Sequence, residues 1–378
     1  MKFISRLNQR FGKSIRDEVL SDIANARFEK PGRVRLAAQL TAVAISTTPY
    51  VVALAGLAVL AFGYPNIPGL LMGALIFAAG IYLRPSARRN TQLTLSEKEA
   101  PTLFRLFDEI SNHLESPKIT GFHLNGEFNA YMAQFGKNER VVGIGAPLWL
   151  SFDGAERLAV LAHELAHLAN NDPRRYNFTG AAMETLGRWS ELFVPPAVID
   201  HESNTRVVID DRDFIGQIVG GFLGGIISTI EFLYEKLIFA ESQRAEYLAD
   251  SKAATIAGAP AMQSTLKQLI LSDLAYERLG KIYYDGRKHV PVFEEMARAV
   301  ACPEKDRAAK LIGEAAAESH TVDASHPPTR YRLEVVAAID HSPPKISAAG
   351  IDWQQIDKEL SSHFEAAERA TLSSIIVQ

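Results

Sequence analysis

The pattern of apolar residues in this chain breaks first at Leu36. From there to Leu83, 48 residues pass without an Asp, Glu, Lys or Arg, divided by the turn-forming cluster Tyr64-Pro65-Asn66-Ile67-Pro68-Gly69. The first arm, Leu36 to Gly63, exceeds the ~20 residues needed to span a bilayer, and the second, Ile67 to Leu83, is at the short end of the range. The pattern predicts a transmembrane helical hairpin over 36–84, with a buried helical pair in a soluble core as the alternative. A cleaved leader does not fit, because 35 mostly polar residues precede the run. Within those residues Phe3, Leu7, Phe11 and Ile15 recur every fourth position among basic side chains. That spacing suits a helix lying on an anionic membrane surface, or equally a solvated basic arm.

Beyond the hairpin the periodicity turns to that of a globular α+β domain, mostly helical. Thr94 to Leu114 carries Leu103, Leu106, Phe107 and Ile110 on one helical face. Strand patterns follow at Gly121–Leu124 and Arg140–Ile144. A helix then starts at Asp153, with Glu156 completing a capping pattern, and stops at Asn170-Asn171-Asp172-Pro173. Phe214 to Ile230 is a further uncharged stretch, with Gly216, Gly220 and Gly224 at four-residue spacing. Its only possible transmembrane partner, Asn177 to Ile199, carries Glu184, Arg188 and Glu191 and ends near Pro195-Pro196, which makes a poor span. The favoured expectation is a helix buried in the protein or lying at the membrane surface, with a second hairpin as the alternative. From Ile346 on, Trp353, Ile356, Leu360 and Phe364 predict an accessory helix. The expected segments are 1–35 (basic N-terminal), 36–84 (hairpin), 90–340 (globular domain) and 346–378 (accessory).

Charge adds an orientation. Residues 1–35 hold nine Lys/Arg, Arg84, Arg88 and Arg89 follow the second arm, and the turn between the arms holds none. Both ends of the hairpin are therefore expected in the cytoplasm. A net charge of −4 over 378 residues gives no argument for a nucleic-acid partner. The single cysteine, Cys302, excludes an internal disulfide and fits a reducing compartment.

The chemistry lies in Ala162-His163-Glu164-Leu165-Ala166-His167. On a helix, residues i and i+4 share a face, so His163 and His167 can both offer a nitrogen to one ion. Glu164 projects beside them, within reach of a metal-bound water. This is a metallopeptidase pattern, though one short enough to arise by chance. A catalytic zinc takes three protein ligands and keeps one open position. Glu241 to Ala254 is helical in pattern and sets Glu246 and Asp250 at i and i+4. Glu246 is the candidate third ligand, and Asp250 the candidate acceptor for the other ring N–H of a ligand histidine. A solvated acidic face is the alternative. The remaining histidines, at 113, 123, 201, 289, 320, 341 and 363, lack spacing partners.

HELAH, with Asn129-Ala130-Tyr131 on a strand upstream, then Glu246-Tyr247-Leu248-Ala249-Asp250, then Ser325-His326-Pro327-Pro328 with Arg332, resembles the HtpX-type membrane zinc metallopeptidases. Their larger relatives are the CAAX prenyl proteases. The resemblance covers about 90–335 and implies a gluzincin core with a small sheet and one Zn2+ per chain. It also implies damaged or misassembled membrane proteins as substrates, while the flanking charge places the catalytic domain in the cytoplasm. One departure stands out. The family commonly has Ser-Arg-x-x-Glu before the third ligand, whereas here Gln243 follows Ser242 and the arginine is Arg244. In the implied reaction Glu164 moves the proton. His326 is a candidate oxyanion donor or a structural turn residue. Asn129, Ala130 and Gly143, with Val141 to Ile144, would take an extended substrate by strand addition, unless that segment is a plain core strand. His163 and His167 must share an ion with Glu246, so the chain between them crosses the membrane an even number of times. The expected partners are a protein or peptide substrate and a lipid bilayer. The alternatives are a processing protease for a defined, for example prenylated, substrate and a non-catalytic zinc scaffold.

Overall fold

The computed structural model describes residues 2–24, 33–86, 90, 94–193, 197–200, 205–208, 214–285, 290–318, 326–339 and 342–376. The polypeptide divides into two compact units, each discontinuous in sequence: 1–30 with 88–174 and 242–378, and 31–87 with 175–241. Both terminal helices cluster with the first unit, and 175–241 clusters with the hairpin.

In chain order the elements begin with α1 (Lys2–Ala24), α2 (Arg33–Gly63), α3 (Ile67–Tyr82) and α4 (Pro101–Leu114). A three-stranded sheet follows, made of β1 (Gly121–Asn125), β2 (Ala130–Phe135) and β3 (Glu139–Gly145). Then come α5 (Ala146–Ser151), α6 (Gly154–Ala169), α7 (Asp172–Phe193), the hairpin β4 (Ala197–Asp200) and β5 (Thr205–Val208), and α8 (Phe214–Ala257). The chain ends with α9 (Ala259–Ile270), α10 (Ser272–Tyr284), α11 (Val292–Ala301), α12 (Lys305–Ala317), α13 (Thr329–Ala337) and α14 (Trp353–Ile376).

In the unit holding both termini, the sheet order is β1-β3-β2, with β1 parallel and β2 antiparallel to β3. Its apolar face, α4 and α6 share one core that includes Phe107, Phe122, Ile144, Trp149, Leu158 and Leu161. The α6 start forms as its sequence dictates: Asp153 accepts from the amides of Ala155 and Glu156, and Glu156 closes the box on the Asp153 amide. The helix ends at Asn170, and Asn171 takes a left-handed φ of 61°. That break turns the chain into α7. The C-terminal α14 is bound into the core: Asp357 accepts from Trp149 Nε1 at 2.8 Å and from Arg157, and Glu359 caps α4. The basic segment forms helix α1, with Ile15 and Val19 buried against protein. Ile15 is therefore not free to dip into lipid; the side chains of Phe3, Leu7 and Phe11 lie outside the described residues.

In the other unit α2 and α3 pack closely through glycine. A Cβ on Gly56 would meet Phe77 backbone at 2.3 Å, and one on Gly80 would meet Ala53 backbone at 2.5 Å. The helix α7 runs antiparallel to the apolar part of α8, since Arg175 pairs with Glu241 and Thr179 with Tyr234. Three of its charged side chains are paired: Arg188 binds Glu184, Ser86 and the carbonyls of Tyr82 and Arg84, and Glu191 takes the Tyr82 hydroxyl. One expectation needs correcting. The 214–230 stretch is not buried inside the protein, because Ile218, Val219, Phe222, Ile226 and Ile230 are exposed, and the most apolar window of α8 is only 11% buried. Packing within one chain leaves this face uncovered; among the described residues the helices long and apolar enough to cross a membrane are α2 and α8. Pro195 and Pro196 lie outside the described residues.

Candidate metal centre

Three helices and one loop build the site. The buried part of α6 brings His163, Glu164 and His167 to its inner face, all less than a tenth exposed. The later turns of α8 bring Glu246 and Asp250, the segment leading into α13 brings His326, and α13 itself brings Arg332. His163 Nε2 lies 3.1 Å from His167 Nε2, 3.7 Å from Glu246 Oε2, and His167 Nε2 lies 3.3 Å from Glu246 Oε1. Ligand atoms on a tetrahedron with zinc bonds of about 2.0–2.1 Å stand about 3.3–3.4 Å apart, so these three fit one ion.

The surroundings test that fit independently. His167 Nδ1 is 2.8 Å from Asp172, and His163 Nδ1 is 3.0 Å from Asp250, in the latter case off the line of a good hydrogen bond. A proton held at Nδ1 by each carboxylate leaves two Nε2 lone pairs facing each other. Such an arrangement repels unless a cation sits between them. Glu246 Oε2 is likewise buried without an aligned hydrogen-bond donor. Two imidazoles and a carboxylate converging from two helices are the donor set of a catalytic zinc.

Charge compensation around the ligands is extensive. Arg332 is bidentate on Asp250, at 2.8 and 2.7 Å, and its Nη1 lies 3.2 Å from Glu246. Burial would raise the Glu246 carboxyl, but Arg332 and His326 outweigh it and hold it well below the usual range. Burial pushes the Glu164 carboxyl up, against the pull of His163 and His167. His326 places Nδ1 3.0 Å from Glu246 while its side chain stays largely exposed, and Glu246 raises its pKa.

The pocket at the centre is lined by His163, Glu164, Glu246, His326 and Arg332, with Asn129 and Ala130 and the apolar Leu148, Val160, Met262 and Leu269. Asn129 and Ala130 thus lie beside Glu164, at the start of an edge strand. Gly143 does not. It sits in the middle strand, paired with His123 on one side and Tyr131 on the other, and the Tyr131 ring covers its face, 2.2 Å from where a Cβ would stand. The room left by Gly145 is filled by the chain's own Glu127 carbonyl. No strand edge remains on β3, so the substrate-strand expectation for Gly143 is corrected; among the described residues β2 has an outer edge with no paired strand, and the outer edge of β1 is bridged by Leu95. Asp172 is the residue that sequence reasoning passed over, read only as part of a helix breaker. Its signal was an acid at the helix-ending turn, five positions past His167. Ser325 lies outside the described residues, as do the histidines at 201, 289, 320 and 341. His123 donates to or accepts from the Tyr131 hydroxyl at 2.6 Å, away from the metal ligands.

The sequence model of peptidase family M48 matches residues 99–340. Protease HtpX of Xanthomonas euvesicatoria pv. vesicatoria (strain 85-10) is 25% identical over 238 residues, covering 55% of this chain and 73% of that protein. Protease HtpX of Pseudomonas aeruginosa (strain LESB58) is 27% identical over 173 residues, covering 44% of this chain and 56% of that one. The crystal structure of S. mikatae Ste24p aligns with a TM-score of 0.33 at 12% identity, over 86% of this chain and 74% of that one, too distant to bear on the arrangement.

Proposed function

On the footing that this chain belongs to peptidase family M48, we propose that it is a membrane-anchored zinc endopeptidase, with its catalytic site facing the cytoplasm. The observation that carries the reading is the convergence of His163 Nε2, His167 Nε2 and the Glu246 carboxylate around one point, with Glu164 in the same pocket. A zinc ion held there would supply an activated water and polarise the scissile carbonyl.

The chain's own residues do the rest. Glu164, its carboxyl pushed up by burial, accepts a proton on its carboxylate and returns it to the leaving amine. Asp172 and Asp250 hold the imidazoles in register through Nδ1. His326, anchored on Glu246 through Nδ1, is assigned as donor to the oxyanion through its other ring nitrogen. Because the Gly145 amide bonds to the Asn129 carbonyl, Asn129 and Tyr131 turn their backbone groups toward β3, and Ala130 turns its N–H and C=O to the free edge. An extended peptide adding there lies alongside Glu164.

Membrane anchoring rests on the hairpin of α2 and α3, with the exposed apolar face of α8 beside it as a further candidate, and the cytoplasmic orientation on the Lys/Arg bias around the hairpin. Unfolded or misassembled membrane proteins are the proposed substrates. The test is cleavage of casein by purified protein with and without a chelator, beside Glu164→Gln. The variant should keep its zinc and lose about 10²-fold or more in rate. Cleavage by the variant at the wild-type rate, or a wild type that binds no zinc, overturns the reading.

A further inference from the structure

The proposed reaction makes no use of α1, yet α1 is fastened to two elements of the site. Ile15 and Val19 are buried at 5% and 0% exposure, and the helix packs on α13. Arg16 reaches Glu334 at 3.2 Å and lies 5.0 Å over the Tyr331 ring. Further along the same helix, Asp22 takes Arg244 at 2.7 Å, with Glu18 at 3.5 Å. The positions gripped are telling. Tyr331 and Glu334 flank Arg332 on α13, and Arg244 precedes Glu246 by two residues on α8. Residues two apart on a helix point away from one another, so Arg244 meets α1 while Glu246 meets the histidines. An arginine at 244 rather than 243 is turned about 100° round the helix, which gives the departure noted in the sequence a partner.

We propose that α1 is a strut that holds α13 against the ligand-bearing turns of α8. It thereby seats Arg332 on Asp250 and Glu246 and fixes the third metal ligand. Arg16, Asp22 and Arg244 are positioning residues in this scheme; none touches the ligand atoms. Removing the strut frees α13 to draw Arg332 off the two carboxylates, and Glu246 then loses the group that orients it. The inference rests on the metal reading of the site.

A charge-swap cycle on the full chain in detergent tests it: Asp22→Arg, Arg244→Glu and the double variant, with Asp22→Asn as a milder form should a reversal fail to fold. The readouts are the rate of zinc release to a chelator, amide hydrogen exchange of residues 329–337 in the metal-free protein, and kcat and KM on casein measured separately. Each single variant should speed zinc release about three- to tenfold, less than or at the low end of losing a direct partner of a ligand. Each should also hasten exchange in α13 and lower kcat with KM unchanged, and the double variant should recover most of the loss. Folded single variants that release zinc at the wild-type rate overturn the strut while leaving the peptidase reading intact. A wild type that neither binds zinc nor cuts casein overturns both.

Discussion

Asp172 and Asp250 are fully buried carboxylates, and a buried carboxylate is costly unless it is paired. Asp250 lies against Arg332 and His163, and Asp172 against His167. Replacing Asp172 by Asn keeps shape and burial but removes the charge that sets the His167 tautomer. Asp172→Asn should weaken zinc binding by about 10–100-fold, read by chelator competition, with the far-UV spectrum unchanged. Unaltered affinity would remove Asp172 from the site. At this scale the sequence showed His163, Glu164 and His167 through helical spacing alone, and Glu246 and Asp250 through a second i, i+4 pair. It hid Asp172 because an Asp before Pro is an ordinary helix break, and nothing local says that the next turn folds back onto a ring nitrogen. Gly143 misled for a similar reason: a missing side chain shows that something comes close, but not what, and here it is Tyr131.

Elements depend on one another more than their own sequences suggest. The helix α4 has Ala100 at its N-cap and no side-chain cap of its own. Glu359 of α14 supplies one from outside, accepting from the Thr102 amide at 3.0 Å and the Leu103 amide at 3.3 Å. Burial works to raise the Glu359 carboxyl, yet its hydrogen bonds outweigh that and lower it below 4.5. A depressed folded-state pKa means stability that is present above the unfolded value and lost as pH falls through the folded one. Glu359→Gln should therefore lower thermal stability by about 1 kcal/mol at neutral pH, in line with other cap losses. The gap to wild type should close as pH drops below 4.5. A gap that stays constant into acid would show that the charge is not what matters. Sequence periodicity placed α14 as an accessory helix; its role as the cap of another helix depends on a contact 257 residues away in the chain.

Across the whole molecule, the apolar faces of α2, α3 and α8 remain uncovered by the chain's own packing, and the membrane orientation is open to direct test. Cys302, the single cysteine, is exposed. In the proposed topology a membrane-impermeant thiol reagent should reach Cys302 only after permeabilisation. Asn66→Cys in a Cys302→Ser background should react in intact cells. The reverse pattern would invert the orientation. The motif requires an even number of crossings between His167 and Glu246, and the chain between them runs out on α7 and back on the antiparallel α8. What the sequence determined by itself was whatever short-range spacing encodes: the uncharged hairpin, the capped helix α6, the i, i+4 pairs His163/His167 and Glu246/Asp250, and the mostly helical class. Helical geometry converts such spacing into shared faces without further information. Tertiary structure alone decided which carboxylate serves which histidine, which sheet edge stays open, that 214–230 faces outward, and that α1 grips both α13 and α8. Each of those depends on which distant segment occupies a given face, and the pattern of a single segment does not specify its neighbour.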